Sequence, residues 1–277
     1  MTYERKVEFA IKLLQSIPTD DGPIEISYSG GKDSDVILEL AKMARIPYEA
    51  IYKQTSIDPP GTTAHAKAMG ATIIRPKQTM LQIIAEKGWP TRRARFCCSI
   101  LKEYKIHNRA VQGIRRSEST ARAKRYKEPE FCRLYPHKEK ARVYLPILEW
   151  TDEDVERFIK ERGITCAPIY YRGGQFDVKK RLGCLGCPMQ SDCGKADFMH
   201  YPKLLKEWIK AGKKYIDTHP KSGAAKKFGN AYNMAYHDLF THSYEEYQTH
   251  VTGGLFPENA LDTKAFLEDY FKIDLTL

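Results

Sequence analysis

The chain has 277 residues, of which 42% are hydrophobic and 29% are charged, so it can bury a full core and has the composition of a soluble globular protein. Lys and Arg number 45 against 35 Asp and Glu, and the net charge of +10 predicts an anionic partner such as a nucleotide or a nucleic acid. No apolar run approaches the length of a membrane span and no signal-peptide pattern opens the sequence, which predicts a cytoplasmic location and no membrane partner.

Helices and strands alternate along the first 163 residues. Apolar residues at helical spacing predict a leading helix over residues 3–16. Period-two and short apolar runs predict strands at residues 24–28, 48–52, 71–74, 110–114 and 143–148. Further helices are predicted at residues 33–44, 62–69, 80–86, 99–108 and 152–162. This alternation indicates an α/β fold with a doubly wound, mostly parallel sheet, whose ligands bind beyond the carboxyl ends of the strands.

The remaining segments have other compositions. Residues 116–141 are polar and basic, which predicts a mobile loop. Residues 164–195 are loop-rich and contain four cysteines, and residues 196–277 are predicted to be mostly helical. The sequence therefore predicts an α/β domain at residues 1–163, a cysteine-rich segment at residues 164–195 and a helical C-terminal region at residues 196–277.

A glycine-rich turn follows the second predicted element. Residues 29–34 read Ser-Gly-Gly-Lys-Asp-Ser. Two glycines let backbone N–H groups approach a ligand, the start of the next helix attracts negative charge, and Lys32 adds a cation. The pattern predicts a site for a nucleotide phosphate, and the alternative is an ordinary Gly-Gly turn. Asp33 has two interpretations, as a group that helps to hold Mg²⁺ with ATP and as a helix cap.

The seven cysteines are clustered, and their odd number argues against a disulfide framework. Cys132 and Cys166 are predicted to be small buried side chains. A C-x-x-C followed by proline, a third thiol six residues later and a distant adjacent pair suit a metal site, because thiolates select zinc or an iron–sulfur cluster. The five candidate ligands are Cys97, Cys98, Cys184, Cys187 and Cys193.

Three segments carry a family resemblance. Residues 29–34 resemble the signature loop of the PP-loop ATP pyrophosphatases. Residues 95–98 (Arg-Phe-Cys-Cys) and 181–188 (Arg-Leu-Gly-Cys-Leu-Gly-Cys-Pro) are similar to the phosphoadenosine phosphosulfate reductase family. The resemblance implies a Rossmann-like PP-loop fold, ATP or an adenylyl nucleotide as ligand, Mg²⁺ where ATP is bound, and a [4Fe–4S] cluster with zinc as the alternative.

The resemblance leaves two sets of cluster ligands open. The pattern of adenylylsulfate reductases implies Cys97, Cys98, Cys184 and Cys187. The three-cysteine loop of related DNA phosphorothioation enzymes implies Cys98, Cys184, Cys187 and Cys193. The second set is slightly favoured, because adjacent residues are awkward ligands for one cluster.

An arginine-rich stretch follows the fourth predicted strand. Residues 113–122 resemble a family motif, Gly-Ile-Arg-x-x-Glu-Ser-x-x-Arg, that contacts the anionic end of the nucleotide, and arginine forks suit phosphate or sulfate. The alternative is a solvated charged loop. The predicted catalytic residues are Lys32, Asp33 and Arg115. The predicted nucleotide-binding residues are Ser29, Gly30, Gly31, Lys32, Asp33, Ser34, Gly113, Arg115, Arg116, Glu118, Ser119 and Arg122.

Three functions compete. The first is an enzyme that uses ATP or an adenylyl nucleotide in sulfur transfer or adenylylation, with a nucleic acid or another anionic acceptor and a sulfur donor protein as partners. The second is a sulfonucleotide reductase in the strict sense, which needs a thiol nucleophile in its C-terminal tail, and residues 194–277 contain no cysteine. The third is a metal-stabilised nucleic-acid-binding module without catalysis, which has no need of a phosphate loop.

Overall fold

The structure is a computed structural model that describes residues 1–136 and 140–277. The chain divides into two compact units. The sheet unit consists of Met1–Pro76 and Cys98–Gly183, and the helical unit consists of Lys77–Cys97 and Cys184–Leu277. These bounds differ from the three segments predicted from the sequence, since residues 77–97 group with the C-terminal helices.

The sheet unit contains one six-stranded sheet. Its strands are β1 (Ile24–Tyr28), β2 (Tyr48–Lys53), β3 (Thr72–Ile74), β4 (Arg109–Val111), β5 (Glu130–Leu134) and β6 (Lys140–Tyr144). The order across the sheet is β3-β2-β1-β4-β6-β5, and all pairings are parallel except that of β5 with β6. The order reverses between β1 and β4, which creates a crevice beyond the carboxyl ends of these strands. The predicted doubly wound, mostly parallel sheet is confirmed.

Thirteen α-helices lie within the described ranges. In chain order they are α1 (Tyr3–Gln15), α2 (Lys32–Ala44), α3 (Thr62–Ala68), α4 (Met80–Lys87), α5 (Phe96–Leu101), α6 (Thr120–Arg125), α7 (Asp152–Arg162), α8 (Lys195–His200), α9 (Pro202–Thr218), α10 (Gly223–Phe228), α11 (Ala231–Phe240), α12 (Tyr244–Thr252) and α13 (Thr263–Phe271). A hairpin of β7 (Tyr171–Arg172) and β8 (Gln175–Phe176) lies in the sheet unit. No helix in these ranges has both the length and the apolar character needed to cross a bilayer.

The core of the sheet unit forms on one face of β1. Ile24 and Ile26 are buried there, and α1, α2 and α7 pack together over that face. Trp150 is 1% exposed and makes an edge-on contact with Phe158 of α7, with ring centres 5.3 Å apart. Such burial of large apolar groups is the main stabilising contribution to the fold.

The helical unit has an aromatic core of its own. Trp89 and Trp208 contact edge to face at 5.3 Å, and the indole N–H of Trp89 donates to the Trp208 carbonyl oxygen at 3.1 Å. Phe198 packs on both tryptophans. Helix α4 packs along α9, and α9 packs on α11. The predicted helical character of residues 196–277 is confirmed.

Three predicted elements end at least three residues earlier than expected, and one of them is the strand predicted at residues 110–114, which is Arg109–Val111. The helix predicted at residues 99–108 ends at Leu101, because the backbone N–H groups of Lys102 and Glu103 both bond to the Cys98 carbonyl oxygen and close the helix. The strand predicted at residues 143–148 is Lys140–Tyr144, because tight turns follow it; the N–H of Leu148 bonds to the Leu145 carbonyl oxygen.

The prediction of a mobile loop at residues 116–141 is also wrong in part. It contains α6, which begins where the Ser119 hydroxyl accepts from the Arg122 N–H at 3.2 Å, and the edge strand β5. Residues 137–139 of that segment lie outside the described residues. Cys132 lies on β5 and is exposed, so its predicted burial is wrong: side chains alternate along a strand, and Cys132 lies with Leu134 on the exposed face of β5.

Helix α7 offers a test of local stability. Its first residue follows Thr151, whose hydroxyl accepts from the Asp154 N–H at 3.3 Å while the Asp154 carboxylate accepts from the Thr151 N–H at 2.7 Å. We expect Thr151→Ala to lower the free energy of unfolding by about 1 kcal/mol, because it removes this cap. Urea denaturation measures the change. Thr151→Ser keeps the hydroxyl and should stay close to wild type; equal losses in both variants would contradict the capping role.

Candidate nucleotide site

The turn between β1 and α2 is packed too closely for side chains. Gly30 has a φ of +75°, and a Cβ built there would lie 2.8 Å from the Thr62 Cγ2 atom. A Cβ on Gly31 would lie 3.1 Å from the Tyr170 hydroxyl. Both the backbone conformation and the surrounding space therefore require glycine at residue 30.

Two serines hold this turn in shape. The Ser34 hydroxyl donates to the Gly31 carbonyl oxygen at 2.7 Å and accepts from the Ser29 N–H at 3.3 Å. The Ser29 hydroxyl accepts from the Gly31 N–H at 3.3 Å. These bonds close the turn on itself, so both serines act on the loop backbone in this structure.

Helix α2 begins without a capping side chain. Its cap position is Gly31, which makes no side-chain hydrogen bond to the first turn. Asp33 therefore does not cap the helix, which removes one of its two predicted roles. The positive end of the helix dipole lies next to the Ser-Gly-Gly turn, as in an anion site, although the Ser34 N–H already bonds to the Gly31 carbonyl oxygen at 2.9 Å.

Lys32 is buried at the start of this helix. It is 3% exposed, and its ammonium lies 3.3 Å from Asp33 Oδ2 and 3.4 Å from the Lys180 carbonyl oxygen. The Tyr170 ring centre is 5.4 Å away. Hydrogen bonds from a charged nitrogen to a carboxylate are usually ~2.7–2.9 Å long, so these contacts hold the ammonium only loosely.

Arg115 joins three segments of the sheet unit. It is 1% exposed, and its Nε donates to Asp33 Oδ1 at 2.7 Å while its Nη2 donates to Asp152 Oδ1 at 2.9 Å. Its Nη1 donates to the Ser117 hydroxyl at 3.1 Å. The guanidinium thus links the loop after β4 to the first turns of α2 and α7.

Gly113 makes this approach possible. A Cβ built on Gly113 would lie 2.9 Å from the Asp33 carbonyl oxygen and 3.0 Å from its carbonyl carbon. The loop after β4 therefore lies directly against the backbone of α2. The loop after β4 and the start of α2 thus meet at Gly113 and Arg115.

A second group of charges surrounds Glu118. Its carboxylate pairs with Arg122 and accepts from the Arg115 N–H at 3.3 Å, and Arg181 donates to its carbonyl oxygen at 2.7 Å. Burial and the nearby Arg181 lower the pKa of Arg122. Like charges held this close favour an anion between them.

Arg116 takes a different direction from Arg115. Its guanidinium pairs with Glu149, donates to the Tyr126 carbonyl oxygen at 2.8 Å and bonds to the Lys127 carbonyl oxygen. Ser119 caps α6. Of the predicted arginines, Arg115 and Arg122 therefore lie with the charges around the loop, whereas Arg116 ties the 3₁₀ turn Arg116–Glu118 to the segment after α6.

A buried network behind the loop was not predicted. Asp35 is fully buried, and its carboxylate accepts from the Tyr28 hydroxyl and from His65 Nε2 at 3.0 Å. Burial raises the pKa of Asp35, although both hydrogen bonds oppose the rise. Burial and Asp35 also raise the pKa of the Cys166 thiol, which therefore stays protonated. The predicted burial of Cys166 is confirmed.

A cleft of about 210 Å³ opens beside the loop, at the carboxyl ends of β1 and β2. Glu25 on its floor is fully buried and accepts from the Ser27 hydroxyl and the His107 N–H, each at 2.9 Å. The other lining residues include Ser29, Tyr52, Lys53, Gln112, Arg133 and Tyr135. The cleft combines charged and polar groups with apolar ring surface, and Ser29 connects it to the Ser-Gly-Gly turn.

The cysteine loop of the helical unit is tightly folded. Asp197 Oδ2 accepts from the Gly186 N–H at 2.9 Å and from Gln190 Nε2 at 2.6 Å. Arg92 donates to the carbonyl oxygens of Pro188 and Gln190 at 2.9 and 2.7 Å. These contacts fix the backbone around the half-buried thiols of Cys184, Cys187 and Cys193.

The thiols are the right donor type for a soft metal. In residues 1–136 and 140–277, however, no group of three His, Cys, Asp or Glu side chains is arranged to hold a metal ion. Cys97, Cys184, Cys187 and Cys193 belong to the helical unit, and Cys98 belongs to the sheet unit. The donor chemistry thus fits a cluster or zinc, and the arrangement described does not.

Parts of this chain are similar in sequence to known proteins. An uncharacterised protein of Methanocaldococcus jannaschii is 28% identical over 209 residues, which are 69% of this chain and 48% of that protein. An uncharacterised 37.8 kDa protein of Escherichia phage 186 is 34% identical over 137 residues, 44% of this chain and 38% of the phage protein. This chain therefore spans about half or less of the length of these relatives.

Solved structures resemble it only distantly. The FMN adenylyltransferase of Candida glabrata has a TM-score of 0.46 at 15% identity, over 66% of this chain and 62% of the other. The phosphoadenylyl-sulfate reductase of Candida auris, in a phosphate complex, has a TM-score of 0.40 at 16% identity, over 60% and 82%. At such low TM-scores neither likeness bears on the chemistry of this chain.

The family itself is settled by the sequence. The pattern of the phosphoadenosine phosphosulfate reductase domain matches residues 23–190, which include the Ser-Gly-Gly turn, the arginine-rich stretch and the C-x-x-C. The match covers more than half of the chain and all six strands of the sheet. The chain belongs to the phosphoadenosine phosphosulfate reductase domain family.

Proposed function

We propose that this protein is an enzyme that binds ATP or an adenylyl nucleotide, with its phosphate or sulfate group at residues 29–34. The main support for this proposal is the buried ammonium group of Lys32. A buried ammonium is costly unless strong partners surround it, and its contacts of 3.3 and 3.4 Å are weak ones. A nucleotide anion at the uncapped start of α2 would give Lys32 a strong partner.

The cleft beside Ser29 would hold the nucleoside. It opens at the point where the strand order reverses, which is where α/β sheets bind such ligands. Its tyrosines offer flat apolar surface, and its buried polar groups are held in fixed orientations. Cleft and turn together match a molecule with a planar base at one end and an anion at the other.

The proposed reaction is adenylylation or sulfur transfer. In adenylylation, an acceptor nucleophile attacks the α-phosphorus of ATP, the bond to the bridging oxygen breaks, and pyrophosphate leaves with the electron pair. The turn and Lys32 would stabilise charge on the leaving group, and Arg122 would add to that field. Arg115 would act by positioning, since its guanidinium already binds Asp33 and Asp152. Where ATP is bound, Mg²⁺ would accompany its phosphates.

A strict sulfonucleotide reductase is the second candidate, favoured by the family pattern. It would release sulfite from a sulfonucleotide, and residues 194–277 supply no thiol for that step. A nucleic-acid-binding module without catalysis is the third candidate. Product analysis separates all three, because pyrophosphate, sulfite and no product are distinct outcomes.

We further propose that the cysteines hold a [4Fe–4S] cluster or zinc. Residue type and spacing support this, together with the backbone contacts of Asp197, Gln190 and Arg92 that hold the cysteine loop. A bound cluster would supply redox or electrostatic chemistry. The four ligands would come from Cys97, Cys98, Cys184, Cys187 and Cys193.

The nucleotide site is tested first at Lys32. Lys32→Ala should weaken binding of ATP or adenylylsulfate by roughly 10- to 100-fold, the effect of losing a hydrogen bond from a charged group. Isothermal titration measures the dissociation constant. Lys42→Ala removes the same charge from the exposed far end of α2 and should bind as wild type does. Unchanged binding in Lys32→Ala would refute the site.

Gly113 tests the packing beneath that site. Gly113→Ala places a methyl group 2.9 Å from the Asp33 carbonyl oxygen and should shift the start of α2, with a loss of roughly 1–3 kcal/mol in unfolding free energy and weaker nucleotide binding. Gly183→Ala meets open space and should change neither quantity. Thermal denaturation measures the change in stability, and titration measures the change in nucleotide binding. Equal results for Gly113→Ala and Gly183→Ala would contradict the close packing of Gly113 against Asp33.

The cysteine proposal is tested by metal analysis after purification without oxygen. We expect a brown protein with iron and acid-labile sulfide, and zinc in a colourless protein would support the alternative. Cys184→Ser and Cys187→Ser should lose the metal. If Cys97→Ser loses the metal and Cys193→Ser keeps it, the first ligand set is the correct one. If Cys193→Ser loses the metal and Cys97→Ser keeps it, the second set is correct. Cys132→Ser, on the exposed edge of β5, is the control. A preparation without iron or zinc would exclude a metal.

A further inference from the structure

The helical unit separates its charges by segment. Residues 202–230, which form α9 and α10, carry eight lysines against two acidic residues. Residues 231–277, which form α11 to α13, carry two lysines against eight acidic residues. Residues 77–97, which include α4, add five basic residues against one acidic residue. The excess of positive charge in this unit therefore lies in residues 77–97 and in residues 202–230.

Three of the five lysines of α9 lie on one stripe. Lys203, Lys210 and Lys214 are seven and four residues apart, which places them on the same side of a helix. All three are exposed. The stripe spans ~17 Å at 1.5 Å per residue, and exposed Lys221 follows it beyond the end of α9.

Several lysines of the segment already have partners. Lys213 pairs with Asp217 at 2.6 Å, Lys206 donates to the Asp274 carbonyl oxygen at 3.0 Å, and Lys227 lies over the Tyr244 ring. The others are exposed and have no carboxylate within ion-pair distance in the described part of the chain. We call them the lysine face: Lys203, Lys210, Lys214, Lys221 and Lys226.

A groove between α4 and α9 borders this face. Gln82, Lys210, Lys214 and His219 line it, together with two carboxylates, Glu86 and Glu207. Glu86 pairs with Lys87 at 3.5 Å and accepts a hydrogen bond from Gln78 Nε2 at 2.9 Å. Glu207 is thus the acidic group that interrupts the positive stripe.

We propose that the lysine face binds the phosphate backbone of a nucleic acid duplex. Point charges on flexible stems suit phosphates rather than base edges. Single-strand binders use exposed aromatic rings as stacking platforms, and none of the strongly exposed large hydrophobic residues described falls within residues 202–230. The acidic helices α11 to α13 would repel a polyanion and so restrict it to the lysine face.

This inference extends the proposed function by naming a nucleic acid duplex as the acceptor. Only the role of the duplex as acceptor rests on the proposed function. Binding itself is measured without nucleotide. The duplex would then be the anionic substrate carried on the helical unit, whose residues also include four of the five candidate cysteines.

The test is fluorescence anisotropy with a short labelled DNA duplex over a range of salt concentrations. The variant Lys210→Gln/Lys214→Gln/Lys221→Gln should bind at least about tenfold more weakly, with a log–log salt dependence shallower by roughly 3. The control Lys12→Gln/Lys160→Gln/Lys272→Gln removes the same charge from exposed lysines that pair with neighbouring carboxylates. It should bind close to wild type.

Two further variants sharpen the result. Glu207→Gln removes the carboxylate from the stripe and should tighten duplex binding. Lys32→Ala should bind the duplex as tightly as the wild type does. Refutation of the nucleotide site and refutation of the lysine face are therefore distinguishable, because the first appears in nucleotide titration and the second in duplex binding. An RNA duplex of the same sequence should bind through the same lysines.

Equal effects of the two triple variants would overturn the proposal, because net charge alone would then govern binding. Tighter binding of a single strand than of the duplex would also overturn it. So would absence of any binding at low salt.

Discussion

The ion pair between Asp33 and Arg115 determines how the sheet unit is assembled at its carboxyl edge. Arg115 follows β4, Asp33 begins α2, and Asp152 begins α7, so one buried guanidinium fixes three elements that are far apart in sequence. Loss of one partner from a buried pair usually costs roughly 3–5 kcal/mol, because the other charge is left without compensation. Gly113 lies against the backbone of Asp33, so the loop after β4 also packs directly on the start of α2.

Local chemistry explains why much of the fold could be predicted. The bounds of β1 follow from an apolar run before glycine. The bounds of α7 follow from a capping box at its start and Gly163 at its end. The short helix α6 and the edge strand β5 were missed because both lie in a basic, polar segment. Ser119 caps α6, and β5 is ordered by antiparallel pairing with β6, the next strand along the chain.

The backbone geometry around the turn was predictable from its glycines. Gly30 has a positive φ and Gly113 lies against the backbone of α2, and both positions need a residue without a side chain. The directions of arginine side chains are set by tertiary partners, so the opposite orientations of Arg115 and Arg116 have no local signal. Asp35 gave no signal either, since an acidic residue in the first turn of a helix is common and its bonds to Tyr28 and His65 form only in the folded chain.

The proposed nucleotide site would link the lifetime of the protein to its ligand. An anion at the start of α2 would stabilise a helix that lacks the side-chain cap present in α7. A ligand that binds only the folded chain stabilises it by roughly 2.7 kcal/mol at a hundredfold excess over its dissociation constant. Proteases act on the transiently opened chain, so a cell short of nucleotide would degrade this protein sooner than a cell rich in it.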